Sequence, residues 1–253
     1  SVCPPYYQRL ERMLAGMLIR KPIRLNDVSD TVSEQLFDVD LQGNDMNVWA
    51  YEVARKMVRY GHIGVLVDAA ADGEGRPYWT TYTPREILGW RSEIVDGQQK
   101  LTQLRLLEKI MKPEGDYGEE EVEQVRVLTP GEFQIFQKSK KTSDFEVIDE
   151  GRTSLEEIPF SVAYSNRVNV MESRPPLEDI GELNLKSYQV QSDLDNQLHI
   201  SAVPMLAFYG FPNAAEEVSA GPGEAISFPP EGRAEYIEPQ GKSYDAQFKR
   251  LDQ

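Results

Sequence analysis

Residues 175–210 read PPLEDIGELNLKSYQVQSDLDNQLHISAVPMLAFYG, and this stretch decides the fold. Its apolar residues recur every three or four positions, which places them on one side of an α-helix. The opposite side is polar, and it carries Glu182 and Lys186 as an i,i+4 ion pair. We expect a helix over 177–203 that buries its apolar side. The predicted core residues of this central helix, with the proline that ends it, are Ile180, Leu183, Tyr188, Val190, Leu194, Leu198 and Pro204.

The residues around the central helix predict where it begins and ends. Ser173 can cap it, and Pro175-Pro176 suits a first turn, whose backbone N–H groups are unpaired in any helix. After Pro204 the apolar run 205–209 ends at Gly210, a pattern typical of a buried strand. A one-sided helix followed by a strand needs a surface on which to pack. The sequence therefore predicts an α+β fold with N-terminal helices, an antiparallel or mixed β-sheet and a long amphipathic helix packed on the sheet.

Two further helices are expected before the sheet. Apolar residues at helical spacing predict them over 5–19 and 46–60, and Gly61 is placed to cap the end of the second helix. The chain then divides into an N-terminal helical segment (1–61), a β-rich part (62–165), and a segment with the central helix, its strand and the C-terminal residues (166–253). We expect these three segments to form one structural domain.

Between the helices the apolar period changes to two, which predicts an antiparallel meander of short strands. Asp96-Gly97 is a strong hairpin turn signal. A short helical turn is expected from Pro84 to Leu88, and a mobile acidic tip at 114–123. The predicted strands span 63–67, 78–82, 89–95, 101–109, 122–128, 132–138 and 145–149, with a last strand at 234–237.

The composition bounds the function. With 253 residues and 40% hydrophobic content, the chain can bury one sizeable core. No apolar run approaches the roughly 18 to 20 residues of a membrane span. Forty-two acidic and twenty-seven basic residues give a net charge of −15, so we expect the chain to repel nucleic acid. This charge argues against an electrostatic DNA clamp, whereas an acidic wall past which DNA slides is compatible with it.

The two ends indicate a piece of a longer protein. Ser1 is not an initiator methionine, and 243–253 stops within a helix-like pattern without a cap or a breaker. We therefore expect further segments beyond this chain. The single cysteine, Cys3, allows no internal disulfide, which fits an intracellular environment.

No catalytic signature is visible. The triplet Gly241-Lys242-Ser243 matches the end of a phosphate-binding loop, but Tyr236 stands where that loop requires glycine. His62 and His199 each lack a second His or Cys at metal-ligand spacing. No nucleophile elbow, zinc-protease helix or Cys-His pair is present in the sequence. We predict no catalytic residue, no metal site and no cofactor, and we expect that the protein is not an enzyme.

Three clusters of charged or aromatic residues have a functional and a structural interpretation. The acidic run 119–121 either coordinates a hard cation or is a solvated tip. The basic run 138–141 either contacts a phosphate backbone or forms a hairpin end. The tryptophans Trp49, Trp79 and Trp90 sit in apolar patterns, which favours core or subunit contacts over base stacking. The structural interpretation is favoured for all three.

One set of motifs resembles bacteriophage portal proteins, most closely a divergent group catalogued as a domain of unknown function. The similarity is in spacing and residue type, spans most of the chain, and includes no catalytic signature. In the second half it rests on IPF at 158–160, PPL at 175–177, ELN at 182–184, Tyr188, SDL at 192–194, LH at 198–199, Pro204 and Gly210. In the first half it rests on RKP at 20–22, DLQG at 40–43, GHIGVLVD at 61–68, RPYW at 76–79, residues 84–91 and DG at 96–97.

The resemblance implies a structural role in the virion. Portal proteins are ring-shaped homo-oligomers, usually dodecamers, through which double-stranded DNA is packaged and ejected without specific binding. It implies the terminase, the capsid and head-tail adaptor proteins as partners, assembly in the host cytoplasm, and no membrane. The elements predicted here are similar to the outer wing of a portal subunit. Long stem helices and a clip are less evident.

Two other classes remain open. A head-tail adaptor or minor head protein has a similar composition, although adaptors are usually shorter and mostly helical. An enzyme requires a cavity that holds His62 or His199 beside at least two carboxylates. We also expect this chain alone to be a monomer and the full-length protein to form a ring, because loops such as 111–123 and 213–224 are poor in interface anchors.

Overall fold

The computed structural model of the chain describes residues 3–69, 75–138, 145–201, 205–210 and 230–237. Its helices and antiparallel sheets confirm the predicted α+β class. The helices are α1 (Tyr6–Leu18), α2 (Asp30–Gln35), α3 (Met46–Tyr60) and α4 (Glu178–Ser201). The strands are β1 (His62–Asp68), β2 (Tyr78–Tyr82), β3 (Ile87–Val95), β4 (Gln98–Glu114), β5 (Gly118–Thr129), β6 (Glu132–Lys138), β7 (Phe145–Arg152), β8 (Phe160–Tyr164), β9 (Arg167–Asn169), β10 (Glu172–Ser173), β11 (Met205–Tyr209) and β12 (Arg233–Ile237).

The chain groups into two compact units. One comprises Tyr6–Asp179, and the other comprises Ser1–Pro5 together with Ile180–Gln253. The sequence predicted one domain with segment boundaries after residues 61 and 165, so the observed division lies elsewhere, at the start of α4. The larger unit contains both large sheets, and the smaller unit contains most of α4.

The larger sheet is a five-stranded meander in the order β3-β4-β5-β6-β7. The predicted hairpin turn is confirmed, because Asp96 (φ 52°) and Gly97 (φ 74°) link the paired residues Val95 and Gln98. Positive φ at both central residues is what a two-residue turn of this twist requires. The predicted mobile tip at 114–123 is wrong, because β4 and β5 stay paired as far as Glu114 and Gly118.

The smaller sheet has three strands in the order β2-β1-β8. Its first two strands were predicted as part of one continuous meander, and β8 was not predicted. The short helical turn predicted from Thr83-Pro84 to Leu88 is present but ends earlier, because β3 begins at Ile87. Glu86 N–H and Ile87 N–H both donate to Thr83 O, at 2.9 and 3.2 Å. The Glu86 carboxylate accepts hydrogen bonds from the backbone N–H and the hydroxyl of Thr83, at 2.6 and 2.8 Å.

The main apolar core of the larger unit lies where the two sheets meet. Leu104 and Leu106 of β4 are fully buried, as is Leu66 of β1. Tyr82 of β2 belongs to the same cluster, and its hydroxyl reaches the opposite sheet. The remaining buried members are Ile87, Ile158 and Met171, with Trp90, Leu101, Leu128, Phe160, Val162 and Val170 packed around them.

Buried charges join the first and third helices. Glu11 of α1 is only 1% exposed, and its carboxylate lies between two arginines of α3. Arg55 Nε lies 3.1 Å from Glu11 Oε1, and Arg59 donates to Oε2 from Nε at 3.0 Å and from an Nη atom at 2.7 Å. Asp45 caps α3, and Gly61 ends it at φ 86°, as predicted. The short α2 was not predicted.

A hydrogen-bonded network of charged and polar side chains connects the two sheets. Arg126 of β5 lies 2.9 Å from Glu108 of β4 and 2.5 Å from Asp68 of β1. The Tyr82 hydroxyl and the Gln124 amide each donate to Glu108 at 2.7 Å. Burial raises the pKa of Tyr82, and the nearby charge of Glu108 raises it further. The phenol is therefore neutral at physiological pH and fixes one sheet on the other.

The smaller unit contains most of α4 and a two-stranded sheet. Strands β11 and β12 pair antiparallel from Met205 with Ile237 to Tyr209 with Arg233. The prediction that α4 packs on the antiparallel sheet stays a prediction, because α4 and the large sheets belong to different units. Among the helices of the described ranges, none combines the length and the apolar character that crossing a membrane requires.

Candidate binding cleft

A cleft of about 400 Å³ lies within the larger unit, between the turn at residues 40–44, α3 and β2. Its volume falls in the range of about 300 to 1,000 Å³ that is typical of ligand sites. The lining combines two indoles with carboxylates, amides, hydroxyls and one ammonium group. The lining residues are Asp40, Gln42, Asn44, Trp49, Glu52, Val53, Lys56, Tyr78, Trp79, Thr80 and Thr81.

The turn that closes one end of the cleft is held by its own side chains. Asp40 accepts hydrogen bonds from Gln42 N at 3.0 Å and from Asn44 Nδ2 at 2.7 Å. Partial burial by itself raises the pKa of Asp40, but the hydrogen bonds outweigh it and hold the pKa below the ordinary value. Asp40 therefore carries a full negative charge at the cleft at neutral pH.

Helical spacing explains why α3 contributes four residues to the cleft. Trp49, Glu52, Val53 and Lys56 are three or four positions apart, so they share one face of the helix. Asp45 fixes the first turn of the helix by accepting hydrogen bonds from two backbone N–H groups, at 2.8 and 2.9 Å. This cap places Trp49 one turn into the helix, beside β2.

Two tryptophans meet in the cleft. The ring centroids of Trp49 and Trp79 lie 4.9 Å apart at an interplanar angle of 65°, an edge-to-face contact. Both rings are half-buried, so part of their surface borders the cleft. The prediction that the tryptophans make core or subunit contacts is therefore incomplete for this pair. Trp90 packs against the main core, as the structural interpretation predicts.

The charges of the cleft are unequal. Lys56 Nζ donates to Thr81 Oγ1 at 2.8 Å, which holds the ammonium against β2. Glu52 is 49% exposed and pairs with Arg55 at 2.9 Å. Two carboxylates, Asp40 and Glu52, thus line the cleft with one ammonium group. The lining favours a cationic or hydrogen-bonding ligand over an anionic one.

The residues predicted as the core of the central helix have different environments. Leu194 is buried at 5% exposure. The prediction is wrong for Leu183 and Leu198, which are 61% and 40% exposed. Leu185, on another side of the helix, is also exposed, so the apolar residues are spread over more of the surface than one stripe. The half-buried members are Ile180, Tyr188 and Val190, and Pro204 lies outside the described residues.

Neither histidine lines the cleft. His62 is buried at the start of β1, and its Nδ1 lies 2.8 Å from the Ser173 hydroxyl. Burial lowers the pKa of His62, so the ring is neutral at physiological pH. His199 is exposed on α4. The described ranges bring no three His, Cys, Asp or Glu side chains together in a group that could hold a metal ion.

The remaining charged runs are only partly described. The acidic run 119–121 lies in β5, where Lys109 Nζ lies 2.9 Å from Glu121 and 3.2 Å from Glu123. These ion pairs raise the pKa of Lys109. Most of the basic run 138–141 and the triplet 241–243 lie outside the described residues.

Sequence reasoning missed the cleft because its parts are distant along the chain. Trp49 and Trp79 are thirty positions apart, and each sits in a pattern that by itself indicates a core residue. The helical spacing of Trp49, Glu52 and Lys56 could have indicated the cleft. A helix face that combines an indole with charged side chains is unusual in a hydrophobic core. Nothing in the sequence indicates that this face meets β2.

Comparison with known families gives one match. The family described as Domain of unknown function (DUF4055) matches residues 176–253, a region that contains α4, β11 and β12. The matched region is less than half of the chain and does not include the cleft. No curated protein matches the chain.

Proposed function

We propose that this chain is part of a structural subunit of a bacteriophage portal, the ring through which double-stranded DNA is packaged and ejected. The proposal is supported by the order of portal-like motifs along the sequence. The larger unit then corresponds to the wing of the subunit. The partners are further copies of the same chain, the terminase, the capsid shell and head-tail adaptor proteins, and the site of action is the virion.

The observation that carries the proposal is the exposure of apolar side chains along α4. Leu183 and Leu185 are 61% and 57% exposed. A subunit of a ring needs two different surfaces that meet across each contact, and apolar side chains are the usual anchors of such contacts. A neighbouring copy of the chain would cover these leucines.

The charge supports a passage for DNA better than a binding surface. At a net charge of −15 the chain repels the phosphate backbone at distances comparable to the Debye length, about 8 Å at physiological salt. DNA that moves through a ring must not be held at any one contact. A predominantly acidic subunit meets this requirement.

Light scattering and negative-stain electron microscopy of the full-length protein test the proposal. We expect rings, and we expect Leu183→Ser combined with Leu185→Ser to weaken them without lowering the melting temperature. The matched control is Ile94→Ser, because Ile94 is 80% exposed on β3, an element of the larger unit. A full-length protein that stays monomeric at every concentration and salt tried would refute the proposal. A small, non-ring assembly with other head proteins would favour the alternative, a head-tail adaptor or minor head protein.

A further inference from the structure

The cleft lies along an edge of a β-sheet at which Val39 O already accepts from Trp79 N–H, while Thr81 lies beyond that contact. Strand β2 pairs with β1 on one side only, so its other side is an edge of the three-stranded sheet. Four consecutive residues of β2, Tyr78 to Thr81, line the cleft. Consecutive side chains of a strand point to opposite faces of the sheet. A cleft lined by four consecutive residues must therefore reach both faces, so it extends around the edge of the strand. The cleft therefore offers backbone groups as well as side chains.

The pairing register of β1 and β2 identifies which backbone groups of β2 point into the cleft. Trp79 N–H donates to Val39 O at 2.8 Å, away from β1. Backbone groups of an antiparallel strand alternate in direction, so the N–H and C=O of Thr81 also point away from β1. Val67 of β1 lies opposite Trp79, and its N–H donates to Pro159 O, on the side of β1 that faces away from β2. Val67 and Trp79 are therefore a pair without mutual backbone hydrogen bonds, which agrees with this register. Among the described residues, no hydrogen-bond acceptor is found for Thr81 N–H.

The side chains around this edge define what could bind there. The indoles of Trp49 and Trp79 offer partly exposed aromatic surface, on which a guanidinium or ammonium group binds favourably. The carboxylates of Asp40 and Glu52 lie on the same cleft and outnumber the ammonium of Lys56. A basic side chain that follows the strand edge would thus find aromatic contact and a complementary charge together.

We propose that the cleft binds an extended peptide segment of a partner protein, which pairs with the backbone N–H and C=O of Thr81, beyond the Val39 contact, and places a lysine or arginine side chain between the tryptophans and the carboxylates. Strand addition draws its affinity from backbone hydrogen bonds and its specificity from pockets for alternate side chains. The proposal rests on the cleft alone and does not depend on ring formation. It adds a peptide site to the subunit contacts discussed above.

Synthetic peptides test both parts of the proposal. The probe is a capped hexapeptide that alternates valine and arginine, titrated by calorimetry and by the fluorescence of the tryptophans, two of which line the cleft. Replacing each arginine by glutamate is expected to weaken binding about tenfold or more, because the lining is acidic. Methylating the backbone nitrogens that would face β2 is expected to weaken it by a similar factor, because strand pairing needs those N–H groups.

Matched protein variants separate the backbone contact from the charge. Thr81→Pro removes an N–H that β1 does not use, a position at which an edge strand tolerates proline. Thr81→Ala keeps that N–H and loses the hydroxyl bonded to Lys56, so the difference in binding between the two variants reports the N–H. Glu52→Gln tests the charge, and Glu132→Gln is its control because Glu132 is similarly exposed and pairs with Arg152 on another sheet.

The expected pattern is peptide binding about tenfold weaker in Thr81→Pro than in Thr81→Ala, and a smaller loss in Glu52→Gln, with Glu132→Gln near wild type. Equal binding of the methylated and unmethylated peptides would overturn strand addition, whether or not Thr81→Pro folds. If the peptide with glutamate in place of arginine bound as tightly as the arginine peptide, the charge assignment would be overturned. Absence of binding at millimolar peptide, or tryptophan quenching by a neutral oligosaccharide instead, would overturn the proposal as a whole.

Discussion

The buried carboxylate of Glu11 offers the sharpest test of the fold. Its side chain is 1% exposed and receives three N–H hydrogen bonds from Arg55 and Arg59. We consider the substitution Glu11→Gln, which keeps the shape of the side chain and removes the negative charge. The amide retains one acceptor oxygen, and its NH₂ group faces an arginine donor in place of the second oxygen.

The magnitude follows from the exposure of the three partners. Breaking a fully buried ion pair costs about 3–5 kcal/mol, because the remaining charge is left without a partner or water. Arg55 and Arg59 are 24% and 38% exposed, so both guanidinium groups regain part of their hydration when the carboxylate is removed. We therefore expect a loss of about 2–3 kcal/mol in the free energy of unfolding, at the lower end of the range for a buried pair.

Urea unfolding at neutral pH measures this loss, and Glu52→Gln provides the control. Glu52 pairs with the same Arg55 at 2.9 Å but is 49% exposed, so removing its charge is expected to cost at most about 1 kcal/mol. Both variants remove one negative charge beside Arg55, and Glu11 differs from Glu52 in its burial and in its second partner, Arg59. If Glu11→Gln lost no more stability than Glu52→Gln, the argument from burial would be refuted.

Three further predictions follow from burial and charge. Leu104→Ala, at a fully buried core position, is expected to lower the free energy of unfolding by about 3 kcal/mol, whereas Leu183→Ala, at 61% exposure, should stay within about 0.5 kcal/mol of wild type in chemical denaturation. The lowered pKa of His62 means that the unfolded chain takes up the proton first as the pH falls below about 6.5, so stability decreases there. His62→Gln should flatten this dependence in urea midpoints from pH 7 to 5, and an unchanged slope would contradict the assignment. Mobility-shift assays with duplex DNA should show no tight association at about 150 mM salt, because the net charge is −15; tight, salt-sensitive binding would contradict the DNA passage interpretation.

Local signals in the sequence determined most of the secondary structure. Strands β2, β6 and β11 have the predicted bounds, and the hairpin at Asp96-Gly97 has the predicted backbone conformation. These elements are set by alternation, by turn residues and by caps, which act over a few neighbouring residues. The central helix was predicted from its helical spacing, within two residues at either end, but the predicted cap Ser173 lies in β10 and its hydroxyl contacts His62. The α+β class follows directly from such elements.

Only the tertiary structure decided which elements meet. Strand β8 lies about a hundred residues after β1 and completes its sheet, a pairing that no local pattern reveals. The same is true of Glu11, whose burial depends on two arginines more than forty positions away. The exposure of Leu183 and Leu198 reverses a prediction from helical spacing, because spacing gives the face of a helix but not what covers it.

The cleft shows the same division. The sequence alone determined the parts: a capped helix that presents Trp49, Glu52 and Lys56 on one face, and a strand that carries Trp79 and Thr81. The tertiary structure decided that these parts face each other and that β2 is an edge strand, because sheet order is set by long-range pairing of β1 with β8 on its other side. An indole in an apolar pattern serves a core and a binding site equally well. Its role depends on the surface that the folded chain places opposite it.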